Sequence, residues 1–441
     1  MILAYSLVSI NSLMCLVLFL RKRQVNSPFQ VFFLFLMLVA ILPGYAHVDL
    51  GIIQFHPFSP PLLIDGETIA KAHFVILGFL AGFLFLDLIW PSQPLKLIVA
   101  EKYRTSLGFY WVIPALIIGV SLFAVYRQGE DAIYSASFED LREGPIGPYY
   151  LTLFYLQIVI VGLPAYLILV RKDILLGLGA FLLFAYLQIA FGGSRQILFI
   201  ALFMIIVLKY QKYRLLSSIA IVFAFFLTFE MLDIVLQVAK LFRNQPDMYA
   251  RIALLPDLLS GSTDLSGTSS EEIIVFPMYI LLTHELPENF AEFQYFFRTL
   301  LFWMPSFLDY FSVKPDDFEY DIFAFVMGGR TGTMHGTFFG NSYADAEHFF
   351  IVWVGLFTLL FKFMENMMRR FDGVEYVMLW SACVYFSVMT ARGSLYAPIL
   401  IAALVLVLAF VSRFLKGTSF SRNADRAVLH GRRSDLEEVA R

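Results

Sequence analysis

Long apolar runs broken by short polar segments dominate the chain, and none of them alternates apolar with polar residues as a barrel strand would. A helix needs roughly 17–25 mainly apolar residues to cross a bilayer. Eleven runs approach that length, near 2–20, 29–48, 72–90, 107–126, 148–170, 174–192, 196–210, 215–236, 348–363, 373–391 and 394–412. Backbone in lipid must satisfy its own hydrogen bonds, so each run predicts a helix. The seventh is short and calls for tilt or for extension into its flanks. The pattern predicts an all-α polytopic membrane protein of about 11 transmembrane helices in four parts. Residues 1–236 hold spans 1–8, 237–347 form one large loop, 348–412 hold spans 9–11, and 413–441 form a polar tail.

Within the large loop, two apolar pieces do not fit a span. IIVFPMYILLT (273–283) is too short. NFAEFQYFFRTLLFWMP (289–305) sets Phe290, Phe293, Phe297, Leu300 and Leu301 at helical spacing beside Arg298. This predicts a helix lying in the membrane interface, or else one that simply caps the bundle.

Composition agrees with the pattern. The chain is 59% hydrophobic and 15% charged, with 48 Phe and 22 Tyr, whereas soluble domains average about 45–50% apolar and about 25% charged. A soluble globular fold is excluded, and no nucleic acid is expected as a partner. Cys15 and Cys383 sit inside apolar runs and imply no disulfide framework.

The placement of cations gives orientation. With the segments after odd-numbered spans on one side, that side holds 21 of the 32 Lys and Arg, including Arg21-Lys22-Arg23, Lys362, Arg369 and Arg370. The positive-inside rule then puts the N-terminus outside and the C-terminus inside. Eight of the other 11 cations are arginines, against the usual bias, and six of seven histidines fall on the outer side or at its edges. Topology does not require this, so a function is expected there. The spans themselves read as largely free of polar groups at mid-depth.

Four outer segments carry candidate chemistry. Arg195 follows Gly-Gly-Ser (192–194) at a tight turn between two spans. Arg392, in MTARGSLYAP, holds a comparable turn before the last span. Two such arginines, with helix N-termini just beyond, suit an anionic pocket, although each alone also suits a membrane anchor. FVMGGRTGTMHGTFFGNSYADAEHF (325–349) brings five glycines together with Arg330, His335, Tyr343 and Asp345. Glycine at this density suggests backbone shaped around a ligand, and His335 is the best-placed group for proton transfer, or a loop histidine bonded to backbone. Asp345 suits a helix N-cap better than a metal pair with Glu347. FEDLREG (138–144) offers Glu139 and Arg142, which also suit a solvated face.

These segments, in this order, resemble the Wzy-type oligosaccharide repeat-unit polymerases of bacterial surface polysaccharide synthesis. The likeness lies in GGSR, in FFRTLLFWMPSFLDYFSVKP (296–315), in TGTMHGTFFGNSYAD and in the Ala-Arg turn before the last span. The intervals from Arg251 to Gly261 and from Arg330 to Gly340 are shorter than the family's arginine-to-glycine spacing. The resemblance implies an inner-membrane glycosyltransferase that moves a growing glycan from undecaprenyl diphosphate onto a new lipid-linked repeat at the periplasmic face. It implies His335, Arg195, Arg330 and Arg392 as catalytic residues, and Arg142, Glu139, Arg251, Arg298, Tyr343 and Asp345 as substrate-binding ones. The implied partners are the undecaprenyl-diphosphate-linked oligosaccharide, the lipid bilayer and a polysaccharide chain-length regulator; no metal or cofactor is called for. An O-antigen ligase and, further off, a lipid-linked sugar flippase are the alternatives.

Overall fold

The computed structural model describes residues 1–21, 27–50, 52–53, 62–91, 95, 109–128, 157–158, 160–190, 195–210, 272–287, 290, 292–301, 304, 315, 318–329, 334–371, 373–395 and 398–411. Among these the chain is helical, apart from an antiparallel pair of two-residue strands, Ile52–Ile53 against Leu62–Leu63. The chain is a helical membrane protein. Among the described residues, four helices are long and apolar enough to cross a membrane: Ile2–Arg21 (α1), the rod over Pro28–Val48, Gly66–Ile89 and Ile351–Met368.

The rod starts as α2 (Pro28–Leu36), passes through a π turn at Met37–Ile41 and continues as α3 (Pro43–Leu50). Pro43 has no N–H to return to the preceding turn, and the Leu42 N–H bonds the Met37 carbonyl instead, so the wider turn absorbs the proline. The Gly66–Ile89 span (α4) begins six residues earlier than the apolar run at 72–90 suggests. Asp65 caps it by accepting the Thr68 N–H at 2.8 Å, and that bond holds the Asp65 carboxyl below its usual range. On one flank lie α5 (Phe109–Gln128), α6 (Ile174–Ala190) and α7 (Arg195–Tyr210). Then come α8 (Glu272–Thr283), α9 (Gln294–Leu300), α10 (Phe318–Val326) and α11 (Thr337–Ala346). The last three are the Ile351–Met368 span (α12), α13 (Gly373–Arg392) and α14 (Pro398–Val411).

Contacts set the directions. Gly66 lies against Met1, Asn11 bonds His73 and Arg21 pairs with Asp87, so α1 and α4 run parallel. Gly78 touches Phe350, Gly82 touches Ile351, and Lys362 pairs with Asp87, so α12 runs with them. The α2–α3 rod runs the other way, with Gln30 on the Phe19 carbonyl and Tyr45 on Ser9. One end of the bundle therefore gathers Arg21, Ser27, Trp90 and Arg369. The opposite end gathers Met1 and Gly66, while α12 starts beside Gly78 and Gly82, partway along α4.

The core is aromatic. Phe338 of α11 inserts among Phe32, Phe83 and Phe357, with ring centroids at 5.4, 5.7 and 4.7 Å. Lipid tails are as apolar as these rings, so the gain comes from close packing and edge-to-face geometry, about 0.5–1.5 kcal/mol per pair. This placement differs from the sequence expectation for the large loop. Helix α8 is buried continuously from Val275 to Leu282 and packs between α4 and α11, rather than lying at an interface. It is apolar on every side, and such a helix has no face to offer water. The aromatic piece gives only the seven residues of α9, which turns Tyr295 and Thr299 inward and leaves Phe297 53% exposed. Tyr295 and Thr299, not the phenylalanine stripe, are its inner face.

The spans are also less clean than they read. Asn11, His47 and His73 are buried between α1, α3 and α4, where His73 meets Asn11 at 3.1 Å and Tyr279 at 3.5 Å. Two of the histidines expected on the outer side thus join helices. Lys362, counted above as a topological cation, is only 8% exposed and bonds Asp87 at 3.1 Å, while Arg21 bonds the other carboxylate oxygen at 2.8 Å. Breaking such a pair leaves a buried charge uncompensated. Asp87→Asn is expected to cost about 3–5 kcal/mol, seen as a lowered thermal unfolding midpoint of the detergent-solubilised protein; an unchanged midpoint would show that the pair carries no stability.

Candidate functional site

Helix α11 begins inside the bundle. Gly336 precedes it, Thr337 takes the left-handed φ of 59°, and nine of its ten residues are buried. Its glycines explain how it fits. A Cβ on Gly340 would lie 3.1 Å from the Met278 backbone of α8, and Leu281 occupies the space beside Gly336. Gly328 and Gly329 adopt φ of 65° and 84° to end α10, where the Gly329 N–H bonds the Ala324 carbonyl. Four of the five glycines in this stretch therefore serve packing and capping rather than a ligand; Gly332 lies outside the described residues.

The first turn of α11 meets the end of α13. Asn341 accepts the Gly336 N–H at 2.7 Å and donates to the Gly393 carbonyl at 2.8 Å. The Tyr295 hydroxyl donates to the same carbonyl. Gly393 adopts φ of 104°, closing α13 directly after Arg392. Asn341 thus links the residue after His335 to the residue after Arg392. His335 Nδ1 lies 3.2 Å from Glu319 of α10, with both side chains partly exposed. The buried hydroxyls of Thr337, Ser342 and Thr390 find no partner among the described residues, which marks the region as polar and incompletely satisfied.

Chemically, the site combines three things. The α11 N-terminus presents N–H groups and partial positive charge. Arg392 adds a permanent cation at the adjoining helix end. His335, oriented through Nδ1 by the Glu319 carboxylate, keeps Nε2 for proton transfer. The set suits an anion beside a group that must lose a proton.

The expected residues divide accordingly. Gly336 and Gly393, the residues after His335 and Arg392, are joined through Asn341, and Tyr343 lies on α11, where burial and the Glu347 charge push its phenol up. Arg298 donates to the Pro315 carbonyl at 2.6 Å, closing the segment between α9 and the Lys-Pro step. Arg195 is the first residue of α7. The two arginine turns are therefore not equivalent, because Arg195 opens a helix whereas Arg392 ends one. The positive helix end near Arg392 belongs to α11, not to the helix that follows it. Arg142, Glu139, Arg251 and Arg330, the Arg195 side chain and the Gly-Gly-Ser before it lie outside the described residues.

Asp345 differs most from its expected role. Its carboxylate accepts the backbone N–H of Tyr295 at 2.8 Å and of Phe296 at 3.1 Å, and the Trp353 indole N–H at 3.0 Å. It caps α9 across some fifty residues of sequence rather than the helix that follows it, and with three donors on it it is an anchor, not a base or a ligand to substrate. Burial, against the pull of those hydrogen bonds, pushes its carboxyl up from 3.8 to about 6. Glu319, Asn341, Tyr295 and Thr337 were not legible as site residues. Nothing in their spacing marks them, since they reach the site from separate helices.

Two outcomes follow for this cap. Asp345→Asn keeps one acceptor for three donors and is expected to cost about 1–3 kcal/mol, read as a lowered unfolding midpoint at neutral pH. The raised carboxyl stabilises most below 3.8, and that contribution is lost as pH rises through about 6. Midpoints measured across that window should show this dependence in the parent protein and lack it in the Asn variant. Gly393→Ala should also destabilise, because its φ is unfavourable and the new Cβ would lie 2.8 Å from Asn341 and 2.9 Å from the Thr337 carbonyl.

Comparison with protein-family models, curated proteins and solved structures finds no match. The function has to be argued from the geometry itself.

Proposed function

We propose that the chain is a membrane glycosyltransferase of the Wzy type, a polymerase of lipid-linked oligosaccharide repeat units. The observation that carries this is the convergence of His335, Arg392 and the α11 N-terminus through Asn341. The donor is a glycan on undecaprenyl diphosphate, and the acceptor is a hydroxyl at the non-reducing end of a fresh undecaprenyl-diphosphate-linked repeat. The acceptor oxygen bonds the anomeric carbon as the bond from that carbon to the diphosphate breaks. The acceptor proton passes to His335 Nε2, while Glu319 stabilises the charged ring. Negative charge grows on the departing diphosphate, facing Arg392 and the α11 N-terminus, an electrostatic stabilisation that belongs to the transition state. Arg195 and Arg330 are assigned to the same anion. Arg142, Glu139, Arg251, Arg298 and Tyr343 are assigned to binding the sugars and the lipid head, and Asp345 holds the wall.

In this reading the protein has 11 spans in the bacterial inner membrane, N-terminus outside and C-terminus inside, with the site at the periplasmic face beside a chain-length regulator. The parallel run of α1, α4 and α12 supports that alternation, as does the gathering of Arg21 and Arg369 at one end. Asn11 with His73, Asp87 with Lys362 and Ser27 with Glu365 bond across helices, which fits helix–helix joints better than a conduit.

The test is a gel of surface polysaccharide from a deletion strain. A ladder collapsed to one repeat on lipid A core supports a polymerase, and loss of every capped species supports a ligase or flippase instead. On complementation, His335→Ala is expected to lower the polymerisation rate at least about 10²-fold, measured with purified lipid-linked repeat. Glu319→Gln should lower it less and shift its pH profile. Arg392→Ala should abolish the ladder, and a normal ladder from that variant would remove Arg392 from the site.

A further inference from the structure

Where α4 ends and α12 makes its last turns, two openings adjoin on α12. The first is a cleft of about 540 Å³ between the end of α4 and the last turns of α12, walled by Trp90, Lys362, Phe363, Glu365, Asn366 and Arg369. The second is an apolar slot of about 290 Å³ between α12, α13 and α14, lined by residues such as Phe363, Met364, Met367, Cys383 and Ala403. Phe363 belongs to both walls, so the polar cleft and the apolar slot meet along one helix.

We infer that this pair of openings is a binding site for one anionic phospholipid, with its phosphate in the cleft and an acyl chain in the slot. Charge favours an anion. Arg21, Lys362 and Arg369 face Asp87 and Glu365, which leaves one formal positive charge in excess, and Arg370 follows on the next residue. The two acids are already committed, Asp87 to Arg21 and Lys362 and Glu365 to the Ser27 hydroxyl. Arg369 presents a planar fork suited to phosphate oxygens, and Asn366, one turn before it, adds an amide donor. Trp90, 52% exposed just past the end of α4, has the amphipathic ring that settles at headgroup depth. The slot carries no charged side chain and is walled by soft, small groups, two Met, a Cys and Ala, that accommodate a mobile chain. A free phosphate would need only the cleft and an apolar molecule only the slot; their junction calls for a lipid that has both.

The site shares no lining residue with the region around His335 and Arg392, so it does not depend on the proposed reaction. It is tested on the purified full chain in detergent by native mass spectrometry with added phosphatidylglycerol or phosphatidylcholine, and with glycerol phosphate as a free headgroup. A retained adduct with phosphatidylglycerol, weaker at least fivefold with phosphatidylcholine, is expected. Arg369→Gln should lower its retention at least fivefold, and Ala403→Phe, which fills the slot, should do the same while every headgroup contact remains. Asn366→Asp, which adds an acid to the cleft wall, gives a second headgroup variant should Arg369→Gln lower the unfolding midpoint. Equal retention of the two lipids overturns the proposal, as does parent-like retention in the headgroup and slot variants. Displacement by glycerol phosphate at equal concentration also overturns it, pointing to a free-anion site.

Discussion

The Asp345 carboxylate, with three N–H donors on it, seats the loop region onto the spans. Two of those donors are the orphaned N–H groups at the start of α9, and the third is the indole of Trp353 at the head of α12. With α9 docked in this way, the Tyr295 hydroxyl reaches the Gly393 carbonyl, which Asn341 also holds. The position of Arg392 at the end of α13 and of His335 before α11 thus depends on one buried acid that has no chemistry of its own to perform. A carboxylate suits the task because it offers two acceptor oxygens to donors arriving from different helices, which no neutral side chain of that size does.

The rest of the architecture answers to the same constraint, that polar groups away from water must find partners. Asp87 pairs with Arg21 and Lys362, Ser27 with Glu365, and Asn11 with His73, each contact joining segments far apart in sequence. Between these joints the helices meet through phenylalanine rings and through glycines that allow close approach, as Gly82 does beneath Ile351. In a bilayer, apolar burial alone does not select partners, because lipid is an equal alternative to a neighbouring helix. The polar joints and the ring geometry therefore carry the specificity. Buried charge pairs join one end of the bundle, and α11 opens its first turn within the bundle, next to the end of α13.

Helix positions were legible because long apolar runs have few other solutions in lipid. The helix that starts at Gly66 differs only because its first turn, GETIA, is too polar to be counted as a span. What the pattern misjudged were pieces whose environment is set by other segments. IIVFPMYILLT is too short to cross a membrane, yet it is buried from Val275 to Leu282 because α4 and α11 flank it. The phenylalanine stripe of 290–301 suggested rings turned toward a membrane interface; the cap from Asp345 sets which residues turn inward, Tyr295 and Thr299, with Phe297 left exposed. The glycines of 328–340 suggested a ligand, and most of them proved to serve helix ends and close packing. Arg392 and His335 were legible as charged or titratable residues where the chain had no topological need for them.

The sequence by itself determined that the protein is a helical membrane protein and where several of its described helices lie. Hydropathy and charge act locally, so they survive in a one-dimensional reading. Only the tertiary structure decided that His335 lies beside Glu319, that Asn341 joins the residues following His335 and Arg392, and that Asp345 caps α9. Those assignments depend on distances of about 3 Å between residues tens of positions apart. Hydrogen bonds reach no further than that, and no spacing along the chain encodes which distant donor an acceptor will meet.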